Sequence, residues 1–174
     1  MRETIFQTDW GWVGLAATEK GVRSVVLPKS TRHAAERDLR EARIVGGMSF
    51  NGAGGDTPGI HLKAAQAAIL LYLSGKARSF DLPLDLDGPP SFRIKVWKVL
   101  QTIPYGRVRS YGWVARKVGK PKAARAVGGA CGANPVPLLV PCHRVVAGDG
   151  SLGGFSAGLG VKKRLLKLEG IIPK

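Results

Sequence analysis

The sequence predicts two domains. Residues 1–88 read as an α/β N-terminal domain, a small sheet plus helices, and residues 89–174 as a mainly α C-terminal domain with a helix-turn-helix layout. Three observations predict this. The chain has 174 residues and 44% hydrophobic content, enough for one or two packed cores. Asp87-Gly88-Pro89-Pro90 breaks every periodic pattern. The charge changes at the same place: residues 1–88 carry 11 Lys/Arg and 10 Asp/Glu, whereas residues 89–174 carry 16 Lys/Arg against Asp149 and Glu169, a net +14.

Segments 12–17 (WVGLAA) and 22–27 (VRSVVL), separated by Glu19-Lys20-Gly21, read as a β-hairpin with a Gly turn. Residues 31–43 read as a helix, with Thr31 as N-cap and Ala34, Ala35 and Leu39 as its apolar positions. The Gly-rich stretch 46–59 reads as a loop, and its glycines do not fit the GxxxxGK[ST] phosphate loop. Residues 60–73 form a second helix, ended by Gly75, and Ser79 to Leu86 alternates as a strand.

In the second half, Ser91 is expected to cap a helix through Ile103, with Ile94, Trp97 and Leu100 at helical spacing. Pro104-Tyr105-Gly106 ends it. Ser110 caps a short helix over 111–118, Gly119 makes a turn, and Pro121 starts a helix through about Cys131. Two short helices joined by a tight turn have the helix-turn-helix layout, although a tightly packed helix pair fits that layout equally well. The second helix carries almost only small side chains, with Arg125 standing out. Small residues allow close approach to DNA but cannot read major-groove base edges, which points to the minor groove or to sequence-independent binding.

Composition excludes several classes. The 24 glycines have no three-residue period, so the chain is not collagen-like. No apolar run reaches the ~18 residues of a membrane span, and no membrane association is expected. Met1 to Trp10 carries Glu3 and Asp9 and lacks an apolar signal core. A cytoplasmic protein acting at the nucleoid is expected, or a nuclear one in a eukaryote. Cys131 and Cys142 cannot make a disulfide framework, and without CxxC spacing no metal is expected. The segregated positive charge attracts polyanions, with nucleic acid the leading partner. An anionic membrane surface would want a long basic amphipathic helix, which is not seen. Charge for solubility alone is the minority reading.

The segment that carries chemistry is 134–146, NPVPLLVPCHRVV. An apolar run ends at Pro141, which fixes the chain before Cys142, and His143 follows at once. A thiolate is the nucleophile, and a neighbouring imidazole and nearby cations ease its formation. Adjacent side chains of a strand point oppositely, so Cys142 must begin a turn or helix if both serve one site. From the dipeptide alone, a buried inert Cys beside a surface His is the stronger reading.

The likeness to a known family decides the matter. Pro141-Cys142-His143-Arg144-Val145 is similar to the active-site signature of O6-alkylguanine-DNA alkyltransferases. Phe92 with Val96-Trp97, Ile103 to Gly106, Ser110-Tyr111-Gly112, Ala124 to Gly128, Asn134-Pro135, and Leu165-Leu166 with Glu169-Gly170 follow in order, over roughly 91–172. The N-terminal half resembles the family only in its layout. The resemblance implies a winged-helix-like C-terminal domain and DNA repair by one irreversible transfer of an alkyl group from O6-alkylguanine, and from O4-alkylthymine, to Cys142. No cofactor is implied, because the protein is itself the acceptor. The implied partner is double-stranded DNA, held by the minor groove with the damaged nucleotide flipped out, and the implied state is a monomer.

The resemblance also implies roles. Cys142 accepts the alkyl group and His143 takes its proton, in the family through water. Glu169 orients His143 and raises its basicity. Tyr111 donates to the guanine ring nitrogen as charge develops there, and Asn134 ties the turn before Cys142 to the second helix. Arg125 fills the gap left by the flipped nucleotide. Ala126, Gly129 and Ala130 let the helix sit in the groove, with Ser110, Lys122 and Arg144 as further DNA contacts. Phe155, Ser156, Val145 and Trp113 wall the alkylguanine pocket. Phe155 stands where the family commonly shows Tyr, so a hydroxyl contact is absent there. A DNA-binding protein without chemistry and a turning-over Cys-His hydrolase are the rivals. The first has no use for a thiol at Cys142, and the second has none for a +14 domain.

Overall fold

The computed structural model describes residues 1–45 and 56–172. The chain divides into two compact units, Met1–Gly88 and Pro89–Lys174.

The first unit opens with three antiparallel strands in sequential order, β1 (Arg2–Thr8), β2 (Gly11–Thr18) and β3 (Gly21–Lys29). The hairpin of β2 and β3 agrees with the sequence reading; β1 was not anticipated. Its Ile5 and Phe6 are neighbours rather than alternating, and Arg2 and Glu3 are exposed, so period two is faint. The central strand β2 is buried on both faces. Ala16 and Val26 pack with Leu39 of helix α1 (Arg32–Val45) on one side. Helix α2 (Thr57–Leu73) packs on the sheet through a stripe that includes Leu62, Ala65, Ile69 and Tyr72. Thr31 caps α1, its Oγ1 accepting from the N–H of Ala34 at 3.2 Å.

Two expectations for this unit change. Residues 57–59 belong to α2 rather than to a loop, with Pro58 placed in the first turn, where its missing N–H costs nothing. Of the 46–59 stretch, residues 46–55 lie outside the described residues, and Asp56 is the N-cap of α2. Segment 79–86 is not a strand: it makes one parallel bridge, Val22 to Leu84. Pro83 cannot donate to a ladder, and Asp85 is drawn into side-chain bonds, accepting from Thr18 Oγ1 at 2.7 Å and from Arg23. Gly21 permits the close approach, since a Cβ there would stand 2.2 Å from the Pro83 carbonyl oxygen.

The second unit contains α3 (Ser91–Gln101), β4 (Arg109–Ser110), α4 (Tyr111–Lys117), α5 (Ala124–Gly132), a 3-10 turn (Cys142–Arg144), β5 (Val145–Val146) and α6 (Leu159–Leu168). Strands β4 and β5 pair in parallel. Pro90, not Ser91, is the N-cap of α3, and it makes no side-chain cap bond; Ser91 is the first helical residue. The helix ends at Gln101, short of Ile103. Ser110 does cap α4, its side chain accepting from Trp113 N at 3.1 Å. A Schellman closure ends α4: Gly119, at φ +75°, donates to Arg116 O and Lys120 to Ala115 O. Pro121 does not start α5. The chain first makes a turn from Lys120 to Ala123, and the helix begins at Ala124. Trp97, fully buried in α3, donates to the Ala130 carbonyl at 2.8 Å and pins α5.

Candidate active site

Cys142 does begin a turn. Pro141 precedes a single 3-10 turn, so Cys142 and His143 leave the chain in a curved rather than a pleated backbone. Leu138, at φ +74°, reverses the chain just before it. Asn134 holds this loop together: its Oδ1 accepts from Val136 N at 3.1 Å, and its Nδ2 donates to Val140 O at 2.8 Å and to Cys142 Sγ at 3.2 Å. Its own N–H donates to Cys131 O at the end of α5. The residue therefore joins α5, the loop and the sulfur.

Cys142 is only 3% exposed. Burial pushes its thiol up, against the opposing pull of the Asn134 bond and of Lys162. Lys162 eases thiolate formation as a nearby cation should, but the desolvation cost is larger. Cys131 is also raised, to about 12, chiefly by burial.

His143 is fully buried, and its Nε2 lies 2.7 Å from Glu169 Oε1. Glu169 is the C-cap of α6. Gly170 follows at φ +77° and closes a second Schellman motif, which sets the carboxylate's position. The same carboxylate accepts from Gly106 N at 2.9 Å and from Arg144, whose Nε is 3.0 Å from both oxygens. Glu169 does favour the charged imidazole, but burial outweighs it, and Arg144 and Lys162 add to the depression. His143 therefore sits below its ordinary range rather than above it.

Arg144 is a correction. Expected on DNA, it is only 7% exposed, pairs with Glu169 and donates to Ile103 O at 2.7 Å. An arginine occupied by a buried carboxylate has no reach to a phosphate. Val145 is also fully buried, and its carbonyl serves Lys162. Trp113 is half-buried and lies between Arg109 and Lys117.

Sequence reasoning missed Lys162. It is fully buried, and its ammonium donates to Val145 O at 2.6 Å, to Leu152 O and to Gly154 O at 3.3 Å. Burial pulls its pKa down. A signal was present: Lys162, Leu165, Leu166 and Glu169 follow i, i+3, i+4, i+7, one face of α6, so both charged residues share the buried stripe. The same ammonium stands 5.9 Å from the ring centres of Tyr111 and Phe155. Tyr111 Oη donates to Gly154 O at 3.2 Å, and burial raises its pKa. Phe155 is half-buried and Ser156 exposed. Tyr111, Phe155, Lys162 and the 152–154 backbone thus gather beside the strand that follows Cys142.

On α5, Val127, Ala130 and Cys131 face inward, and Arg125, Ala126 and Gly129 face solvent, with Lys122 exposed just before the helix. No atom stands within 4 Å of a Cβ built on Gly129. The outward face is smooth, with one long cation. Among the described residues no helix is long and apolar enough to cross a membrane, and no group of three His, Cys, Asp or Glu could hold a metal.

Residues 91–171 match the family profile described as 6-O-methylguanine DNA methyltransferase, DNA binding domain. The chain is 45% identical over 170 residues to the methylated-DNA–protein-cysteine methyltransferase of Methanosarcina acetivorans, covering 98% of this chain and 99% of that protein. It is 48% identical over 101 residues to the inducible methylated-DNA–protein-cysteine methyltransferase of Bacillus subtilis, covering 58% of this chain and 56% of that protein. The solved structure of Mycobacterium tuberculosis OGT in complex with DNA matches with a TM-score of 0.76 at 34% identity, over 97% of this chain and 92% of that one. The O6-methylguanine-DNA methyltransferase of Pyrococcus kodakaraensis matches with a TM-score of 0.66 at 31% identity, over 97% of this chain and 98% of that one.

Proposed function

The chain belongs to the methylated-DNA–protein-cysteine methyltransferase family, and from that membership we propose that Cys142 is its acceptor in direct, single-turnover repair of O6-alkylguanine in DNA. The observation that carries this reading is the buried thiol of Cys142, with Asn134 Nδ2 at 3.2 Å from the sulfur, next in the chain to a buried His143 whose Nε2 lies 2.7 Å from Glu169.

The thiol has to be deprotonated at the moment of attack, because burial keeps it protonated at rest. His143 Nε2–H donates to Glu169 Oε1, so the lone pair of the neutral ring lies on Nδ1, the base for the thiol proton. Sulfur then bonds to the alkyl carbon as the carbon–O6 bond breaks. The electron pair passes into the guanine ring, and Tyr111 exchanges its bond to Gly154 O for one to a ring nitrogen as that charge develops. The product is a thioether, a poor leaving group, so one molecule repairs one base. O4-alkylthymine presents the same carbon–oxygen bond and is accepted by the same route.

Helices α4 and α5, joined by the Schellman turn at Gly119, act as a helix-turn-helix unit. It is winged-helix-like, with the β4–β5 ladder beside it. The smooth face of α5 enters the minor groove, Arg125 takes the place of the flipped nucleotide, and Lys122 holds phosphate. Phe155 and Ser156 border the flipped base. Binding is salt-dependent and nearly indifferent to sequence. The protein acts as a monomer where the DNA lies, at the nucleoid in a prokaryotic cytoplasm.

The test is mass mapping after one equivalent of O6-methylguanine duplex. A gain of about 14 Da, one CH₂, is expected on the Cys142 peptide, with no second turnover. Label on Cys131, or many turnovers, defeats the assignment. Arg125→Ala should slow repair of duplex DNA more than reaction with free O6-benzylguanine; equal slowing removes Arg125 from flipping.

A further inference from the structure

We propose that Arg109, Trp113 and Lys117 form a contact for the sugar–phosphate backbone of DNA, separate from α5 and from the alkylguanine pocket. The proposal rests on the DNA-repair reading above and assigns Trp113 to a different surface from the one its sequence position suggested.

The Arg109 guanidinium carbon stands 5.3 Å from the centre of the Trp113 ring, and the Lys117 ammonium 5.6 Å from it. Trp113 and Lys117 are one helical turn apart on α4, on the side opposite the buried Val114 and Ala115. Arg116 and Lys117 are both exposed in the last turn of the same helix. Two cations on one ring repel each other, and this half of the chain has little to offset them. Of its two acids, Glu169 is buried against His143 and Arg144, and Asp149 Oδ1 accepts from Ser151 N. Among the described residues no carboxylate pairs with Arg109 or Lys117.

An external anion resolves the repulsion, and the group is shaped for a particular one. A guanidinium near an indole can lie against its face and still present donors at its edge to a phosphate. The half-exposed indole offers a flat apolar surface to a deoxyribose. The group is also rigidly tied to the chemistry. Arg109 and Ser110 pair with Val145 and Val146, which directly follow the Cys142–Arg144 turn. Tyr111, two residues from Arg109, begins α4. A backbone held here would therefore be fixed in register relative to Cys142. An acidic protein surface is the competing partner, but it has no reason to lie in register with the reactive sulfur.

The experiment uses the full chain and an O6-methylguanine duplex, with affinity measured across a salt series and transfer measured in parallel on free O6-benzylguanine. Lys117→Ala should make the slope of log affinity against log salt shallower by about one, as expected for one lost phosphate contact. Lys117→Glu should weaken duplex binding about tenfold or more. Both should react with the free base as the parent does. Duplex binding should quench part of the tryptophan emission of the parent, and Trp113→Phe should lose that part. Unchanged affinity and slope in the Lys117 variants overturn the proposal and leave an acidic protein partner for the patch. So does a parallel loss on the free base, which returns the patch to the pocket. A parent that holds no duplex overturns the DNA reading itself.

Discussion

Glu169 Oε1 and His143 Nε2 lie 2.7 Å apart with both side chains buried, and the same carboxylate meets the Arg144 guanidinium and the Gly106 N–H. One carboxylate thus orients the base and neutralises a buried arginine. Glu169→Gln removes the charge from both. Single-turnover transfer at saturating DNA should slow by roughly 10²–10⁴-fold, the usual worth of positioned acid–base help. Denaturation should show a loss of about 3–5 kcal/mol, because Arg144 becomes an uncompensated buried charge. DNA affinity should be kept or slightly raised. Transfer within a few-fold of the parent would reduce Glu169 to a structural ion pair.

The depressed His143 sets a pH signature. Above its ordinary value of 6.5 the ring is neutral in both the folded and unfolded chain. Below that pH the unfolded chain binds a proton that the folded chain refuses. Stability should then fall with falling pH, by up to about 1.4 kcal/mol per pH unit, until the folded value is passed. Denaturant midpoints for the parent and His143→Gln between pH 7 and pH 5 read this directly: the parent should decline more steeply. Equal slopes would mean that the ring titrates normally.

Lys162→Met keeps the stem and removes the donors, leaving the carbonyls of Val145 and Leu152 without them while Gly154 O keeps the Tyr111 bond. A buried acceptor left unsatisfied costs about 1–3 kcal/mol. A lower midpoint is expected, together with at least tenfold slower reaction with free O6-benzylguanine, since the 152–155 segment borders the base. Parent-like transfer would show that this segment holds itself in place.

Gly153 sits at φ +63°, and a Cβ there would stand 2.9 Å from Tyr111 Cε2 and 3.0 Å from its hydroxyl. Gly153→Ala should therefore displace the Tyr111 ring as well as strain the backbone. Transfer should slow at least tenfold, with duplex affinity little changed, because α5 is untouched. A crystal structure of the variant with Tyr111 in place, or unchanged transfer, would contradict this.

Much of this was legible in the residues. The charge step, the caps at Thr31 and Ser110 and the turn at Gly119 are local chemistry, and each stands where the sequence put it. Cys142 and His143 stand out in the residues themselves, and Asn134 and Glu169 came from the family resemblance; Asn134 bonds to Cys142 and Glu169 to His143. What escaped was decided by distant partners. Arg144 reads as a surface cation until Glu169, 25 residues away, is known to be buried beside it. Lys162 reads as one of a basic run until three carbonyls close over it. Segment 79–86 has the alternation of a strand, but Pro83 and the pull of Thr18 and Arg23 on Asp85 leave it a single bridge. The direction of the Cys142 and His143 shifts also escaped, because it depends on how completely they are dried rather than on which groups adjoin them.

The order of these residues along the chain matters in time as well as in space. His143 is synthesised 26 residues before Glu169. A growing chain on the ribosome therefore carries its sulfur before the carboxylate that orients the base, and before α6 exists to seat Lys162. Until that last helix emerges and docks, the imidazole has no fixed tautomer and the thiol has no organised acceptor for its proton. A nascent chain thus carries an exposed, ordinary thiol, and the organised transfer site is assembled only when the second unit has been made through Glu169.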